Sequence, residues 1–147
     1  MEFITDRTQA HVTRLKRLQA IGWKNLTDSQ KAEYIGYAAR GAYNYTDLNR
    51  VESAVAELAE TYGLSLTTKT DWSVWDVPTR SDMERYLSNV VAIRNAYTGD
   101  KVLPSLPDSM IGLTYEGANS IERVLAIAYA PDDTVIRSGD IYCGEVL

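Results

Sequence analysis

Gly41-Ala42-Tyr43-Asn44-Tyr45-Thr46-Asp47-Leu48-Asn49-Arg50-Val51-Glu52 is the stretch whose reading decides the fold. Its glycine and the aromatic and amide residues that follow predict a compact, irregular lead-in, and Thr46 falls where a helix begins. A threonine hydroxyl accepts from a backbone N–H two or three residues on, and Asp47 sets a carboxylate at the positive end of the helix dipole. Leu48, Val51 and Val55 then recur at helical spacing. The reading predicts a helix over 47–62, with Ala54, Val55, Leu58, Ala59 and Tyr62 buried and Gly63 as its C-cap. Gly41, Tyr43, Asn44, Thr46, Asp47, Asn49 and Arg50 are therefore expected to be structural rather than chemical. The same order of residue types returns as Ser81-Asp82-Met83-Glu84-Arg85-Tyr86 and as Asn119-Ser120-Ile121-Glu122-Arg123-Val124. An old duplication leaves such a pattern, but capped amphipathic helices also converge on it.

Upstream, Thr5-Asp6-Arg7-Thr8 reads as a capped start for a helix over 6–20, with Val12, Leu15, Leu18 and Ile21 as a thin apolar stripe. Gly22 ends it. Thr27-Asp28-Ser29-Gln30 has the spacing of a capping box, so a short second helix carries Ala32, Tyr34, Ile35 and Ala38 toward Gly41. Downstream, the segment 64–75 loses the 3.6-residue period and gains Thr, Leu, Val and Trp, which predicts extended structure. Ser81 and Glu84 read as the capping box of a long helix that buries Met83, Tyr86, Leu87, Val90, Ile93 and Tyr97 and closes at Gly99. Leu103-Pro104-Ser105-Leu106-Pro107 is too stiff and too poor in donors for a helix and predicts an extended connector. A last helix begins between Thr114 and Asn119, faces Ile121, Val124, Leu125 and Ala128 to the core, and stops at Pro131. Thr134–Arg137 and Ile141–Cys143, joined through Ser138-Gly139-Asp140, predict a β-hairpin. The expected fold is thus mainly α. It is a compact bundle of about four to five helices with a small β element, in a single domain over 1–147.

Composition narrows the chemistry. Fifteen basic against 20 acidic side chains, with a pI near 4.9, argue against a nucleic-acid backbone as partner. No apolar run is long enough to span a bilayer. The lone Cys143 forms no internal disulfide, and no charged start followed by an apolar run marks a secretory signal, which predicts folding in a reducing cytoplasm. His11 reads as a surface imidazole on the flank of the first helix, and Cys143 as a small packed thiol. Neither has the partner that a nucleophile or a metal site requires, and no cofactor is implied. Ten Tyr and three Trp against one Phe supply rings with polar handles, suited to core margins and contact surfaces. Trp72 and Trp75, with Asp71 and Asp76 beside them, have two readings. Indole faces stack on sugar rings while Asp accepts from hydroxyls, or the indoles fill a gap between helices while the carboxylates cap turns. The hairpin residues Ile141, Tyr142, Val146 and Leu147 are likewise either an assembly contact or part of a small internal sheet with 64–75.

Several blocks together carry a resemblance. The run at 41–52, Thr-Lys-Thr-Asp-Trp at 68–72, Met-Glu-Arg-Tyr-Leu-Ser-Asn-Val at 83–90, Pro-Asp-Ser-Met at 107–110 and Leu-Thr-Tyr-Glu-Gly-Ala-Asn-Ser-Ile-Glu at 113–122 resemble a group of phage and prophage virion proteins. These are tail-, baseplate- or fibre-associated proteins of phages that infect Gram-positive bacteria, and the opening Thr-Asp-Arg-Thr-Gln-Ala is similar to theirs. The resemblance implies a non-enzymatic structural component of the tail, made in the host bacterial cytoplasm and working by contacts with other virion proteins and with copies of itself. It carries over no catalytic or receptor-contact residue. Two other functions remain open: a tip that binds a host-surface glycan through Trp72 and Trp75, and an accessory of a cell-wall hydrolase.

Overall fold

A computed structural model describes residues 1–130. The expected hairpin, with Ile141, Tyr142, Val146 and Leu147, lies outside the described residues, as do Pro131 and Cys143. Five α-helices follow one another: α1 Gln9–Ile21, α2 Asp28–Ile35, α3 Tyr45–Tyr62, α4 Arg80–Ala96 and α5 Tyr115–Tyr129. Short 3₁₀ turns at Trp23–Asn25 and Ala38–Gly41 complete the set. The mainly helical class is as expected, but the extended segment at 64–75, the part of the expected β element that lies within the described residues, is not a strand. Among the described residues no strand forms, and 64–73 runs as irregular chain. Leu64, Leu66 and Trp72 from this run pack on the core, while Ser65, Thr67 and Thr70 face solvent. The run is a strap across helices, and helix side chains rather than a neighbouring strand satisfy its backbone, as described below.

Each helix start has a local cause, and three of them differ from expectation. The cap of α3 is Asn44, not Thr46: Asn44 Oδ1 accepts from Thr46 N at 2.9 Å, and Asp47 Oδ2 accepts from Asn44 N at 2.8 Å. The helix therefore starts at Tyr45, and Thr46 lies within its first turn, donating its hydroxyl to Asn44 Oδ1. Asn44→Ala is expected to cost about 1 kcal/mol, as caps of this kind do. Thr46→Ala should cost less, since only an exposed hydroxyl is lost. Urea unfolding of the two variants side by side checks the order, and equal losses would return the cap to Thr46. The box of α4 is Thr79 with Asp82, two residues before the expected Ser81 with Glu84; Asp82 Oδ2 accepts from Thr79 N at 2.8 Å. This helix stops at Ala96, so Gly99 lies beyond it. The first helix starts at Gln9 rather than at 6, because residues 4–7 are held in another way. The starts at Thr27 and Thr114 and the left-handed Gly63 cap of α3 are as the sequence predicts.

Helices α3, α4 and α5 pack against one another. Their shared core contains Leu48, Val51, Val55 and Leu58 of α3, Tyr86, Val90 and Ile93 of α4, and Ile121, Val124 and Leu125 of α5. Burying each such aliphatic side chain is worth about 1.5–3 kcal/mol. A second, smaller cluster joins Leu15 and Leu18 of α1 to Leu26 and Ala38, with Tyr34 and Ala42 against it. The lobe of residues 9–41 thus closes on itself. Ile35 of the second helix is 71% exposed on this lobe, and Tyr62, Met83 and Tyr97, expected to be buried, are half-buried.

Candidate functional site

Two polar clamps attach irregular chain to the helical core, and they share one design. On α5, Asn119 pairs with the backbone of Arg7 in both directions: Arg7 N donates to Asn119 Oδ1 at 3.0 Å, and Asn119 Nδ2 donates to Arg7 O at 2.9 Å. One helical turn on, Glu122 Oε2 accepts from Ile4 N at 2.7 Å. On α3, Asn49 pairs with the backbone of Trp72 at 2.7 and 2.8 Å, and Glu52 Oε2 accepts from Lys69 N at 2.5 Å. In each case an Asn-x-x-Glu turn presents an amide and a carboxylate on one helix face, since residues three apart are neighbours there. In each case they grip chain residues also three apart, and Thr-Asp precedes the residue that the Asn holds, at Thr5-Asp6 and at Thr70-Asp71. The recurrence is in a different register from the capped helix openings read in the sequence, pairing Asn49 with Asn119 and Glu52 with Glu122.

Guanidinium groups neutralise both carboxylates. Glu122, fully buried, accepts from Arg7 Nη2 at 2.8 Å and from Arg50 Nε and Nη2 at 2.8 and 2.6 Å. Asp47 completes a neutral four-member network by accepting from Arg7 Nη2 at 2.7 Å and from Arg50. Arg7 is 3% exposed, and its Nε is the one buried side-chain polar atom without a hydrogen-bond partner among the described residues. Its guanidinium carbon lies 5.3 Å from the centre of the Tyr43 ring, a cation–π contact. In the other clamp Glu52 accepts from Arg85 at 2.7 and 2.8 Å and from Trp72 Nε1 at 3.2 Å. Asn89 and Arg85 also donate to Thr67 O, at 2.8 and 2.9 Å.

Gly41, Tyr43, Asn44, Thr46, Asp47, Asn49 and Arg50 lie in these clamps and in the turn that leads into them. Gly41 brings the Ala38–Gly41 turn against α1 so closely that a Cβ there would stand 2.5 Å from the carbonyl oxygen of His11, a contact only glycine permits. The Tyr43 hydroxyl meets the Tyr86 hydroxyl at 2.5 Å, and burial holds both phenols well above their ordinary range, so both stay protonated. Asn44 caps, Asn49 clamps, and Asp47 and Arg50 form the network.

Trp72 and Trp75 have opposite fates. Trp72 is buried in the core and clamped at its backbone and at its indole N–H, whereas Trp75 is 89% exposed, so they do not form one surface. Trp75 sits on a tight turn in which Ser73 N donates to Asp76 Oδ2 at 2.6 Å and Asp76 N to Ser73 O at 3.1 Å. These bonds from Ser73 hold the Asp76 carboxyl below its usual range. Val74 and Val77 flank the indole and are exposed as well. Asp71 is exposed and bonds Lys69 Nζ at 2.9 Å; it raises the Lys69 pKa, and the nearby Asp76 and Asp82 add to the effect. The result is an apolar tip on acidic ground. Next to it, a groove of about 550 Å³ runs between α4 and the loop at 108–111, with Met83, Leu87, Val91, Met110 and Ile111 among its lining residues.

His11 is buried, contrary to the expected surface imidazole. Its Nδ1 accepts from Thr8 N at 3.0 Å, which closes the cap of α1, and its ring centre lies 4.4 Å from that of Tyr37 with the two planes tilted by 54°. Among the described residues no group of three or more His, Cys, Asp or Glu is placed to hold a metal ion, and no helix is long and apolar enough to cross a membrane. The residues that the sequence reading did not single out are Arg7, Glu52, Arg85, Asn119 and Glu122; the signal available was the repeated Asn-x-x-Glu together with the repeated Thr-Asp. No protein-family model, no curated protein and no solved structure matches the chain.

Proposed function

We propose that this protein is a structural component of a phage virion, associated with the tail, baseplate or tail fibre, and that it works through contacts with other virion proteins. The observation that carries the contact role is the apolar ground at one end of the helical core. Val74, Trp75 and Val77 stand on a hydrogen-bonded turn beside a groove in which Ile111 is 66% exposed and Val91 is 39% exposed. Exposed apolar side chains grouped in this way cost solvation free energy in an isolated chain, which supports a contact role for this ground. The virion setting is supported by the resemblance of the blocks between residues 41 and 122 to phage tail-associated proteins. Many of those block residues are the clamp residues themselves, which ties the resemblance to the scaffold and leaves the exposed ground to set the partner.

Ile111→Glu is expected to change unfolding stability by no more than about 0.5 kcal/mol, as surface substitutions do, and to abolish incorporation into particles. Mass spectrometry of purified particles reads the second outcome. Wild-type particles without the chain would overturn the virion reading, and normal incorporation of the variant would overturn the role of the groove.

One observation favours a second reading, a receptor tip. The Trp75 indole, presented on the same turn as Asp76, has the chemistry to stack on a single sugar ring while a carboxylate accepts from its hydroxyls. A glycan array with the purified protein, repeated with Trp75→Ala, separates this reading from a purely assembly role.

A further inference from the structure

Charge is divided unevenly along this chain in a way that its total conceals. Residues 9–41 carry six basic side chains (Arg14, Lys16, Arg17, Lys24, Lys31 and Arg40) against two acidic ones (Asp28 and Glu33), a net charge of +4. Residues 42–130 carry seven basic against twelve acidic, a net charge of −5. The first set is the lobe closed around Leu15, Leu18, Leu26 and Ala38, and the second is the α3–α4–α5 core with its strap. The molecule therefore has a basic lobe, where Asp6 pairs with Arg40 and lowers the excess to +3, and an acidic core.

Each part also offers a surface for contact, apolar at the tip and mainly polar on the lobe. On the acidic core Trp75 projects from its turn, with Asp71, Asp76 and Asp82 around Lys69 behind it. On the basic lobe a shallow depression of about 420 Å³ lies between α1 and α2, lined by Ala10, Thr13, Tyr37, the guanidiniums of Arg14 and Arg17, and the carboxylate of Glu33, among others, which leaves it with an excess of one positive charge. Arg14 is tied to Glu33 by bonds of 2.5 and 2.7 Å, whereas Arg17 makes no ion pair among the described residues. Tyr37 is half-exposed, and its ring is held against that of His11. An indole entering this depression meets an aromatic ring and a free guanidinium, both favourable partners. The carboxylates behind that indole bring the charge that the basic lobe lacks.

We infer that copies of this chain associate head to tail, the Val74–Val77 tip of one copy docking on the α1–α2 depression of the next. The two patches differ, so the contact is heterologous: it leaves one patch free at each end of a growing chain and builds a ring or a helical array rather than a closed dimer. Opposite net charges on the two parts steer the encounter and disfavour the tip-to-tip and lobe-to-lobe alternatives. The inference deepens the assembly reading by naming a second copy as the partner, and its test needs no particle. A chain that self-associates but is absent from virions sinks only the virion reading; a chain found in virions that stays monomeric sinks only this inference.

The test uses the full chain and two blocked variants in sedimentation equilibrium. Trp75→Ala removes the tip, and Thr13→Glu with Arg17→Glu inverts the charge of the depression. All three positions are exposed, and circular dichroism confirms that both variants fold. The wild-type chain at low ionic strength should show an average mass that rises past the dimer with concentration and falls as salt screens the contact. Each variant alone should remain a monomer. Mixed in equal amounts they should form a dimer and nothing larger, because each supplies the one intact patch that the other lacks. A wild-type chain that is monomeric at about 1 mM, in the range of effective concentrations between tethered partners, overturns the inference. So does a wild-type chain that stops at a dimer, or a mixture of variants that stays monomeric.

Discussion

Replacing Glu122 with alanine is expected to cost the fold about 3–5 kcal/mol, the range seen when one partner of a buried ion pair is removed. The reason lies in what the deletion leaves behind. Glu122 is fully buried and answers the Arg7 and Arg50 guanidiniums together with the Ile4 N–H. Without it two cations share Asp47 alone, and the side chain of Arg7, at 2% exposure, is left with little water to replace the lost partner. A domain of this size has a total stability of about 5–15 kcal/mol, so the variant should be partly unfolded at ordinary temperature. Glu122→Gln should cost less, because it keeps an acceptor for Ile4 N while still removing the charge. Urea unfolding of both variants gives the comparison. A loss below about 1 kcal/mol for the alanine variant would mean that the network behaves like a surface ion pair, and the account of the clamp would fail.

Glu52→Ala should cost about 2–4 kcal/mol, from buried donors left unpaired. It removes the acceptor of Lys69 N, of the Trp72 indole N–H and of Arg85. The cost is set lower than at Glu122 because the Arg85 side chain is 24% exposed and regains water when its partner is lost. The more telling measurement is local. Amide hydrogen exchange should show the Lys69 N–H losing protection in Glu52→Ala while the Trp72 N–H, still bonded to Asn49 Oδ1, keeps more of its own. Asn49→Ala should reverse that order. If both amides stay protected in both variants, the strap is held by packing of Leu64, Leu66 and Trp72 rather than by the polar clamp.

Glu52 and Glu122 also show where sequence reading reaches its end. On a helix, Asn49 with Glu52 and Asn119 with Glu122 look like polar residues at a solvated margin, because nothing within one turn accounts for burying a carboxylate. Their partners are far along the chain, 17 to 33 residues away for Glu52 and 72 to 118 for Glu122. The strap at 64–73 was legible as non-helical from its Thr, Leu and Trp content, yet the helix side chains that hold its backbone were not. A β ladder and a side-chain clamp satisfy the same kind of backbone group, and among the described residues it is the clamp that holds this segment.

What the sequence determined by itself is what depends on neighbours within a turn or two. The existence and approximate span of all five helices follow from apolar spacing and from capping residues, and the end of α3 follows from the freedom of Gly63 to adopt a positive φ. The glycine at 41 and the lead-in after it were legible as structural for the same local reason. The choice between competing caps was not: Asn44 and Thr46, or Thr79 and Ser81, each satisfy the pattern within two residues. Tertiary structure decided that choice, as it decided that His11 is buried, that Trp72 enters the core and that Trp75, three residues on, stays in solvent. Burial of a polar or aromatic group depends on which distant segment lies across it, and that is settled only when the straps and helices come together.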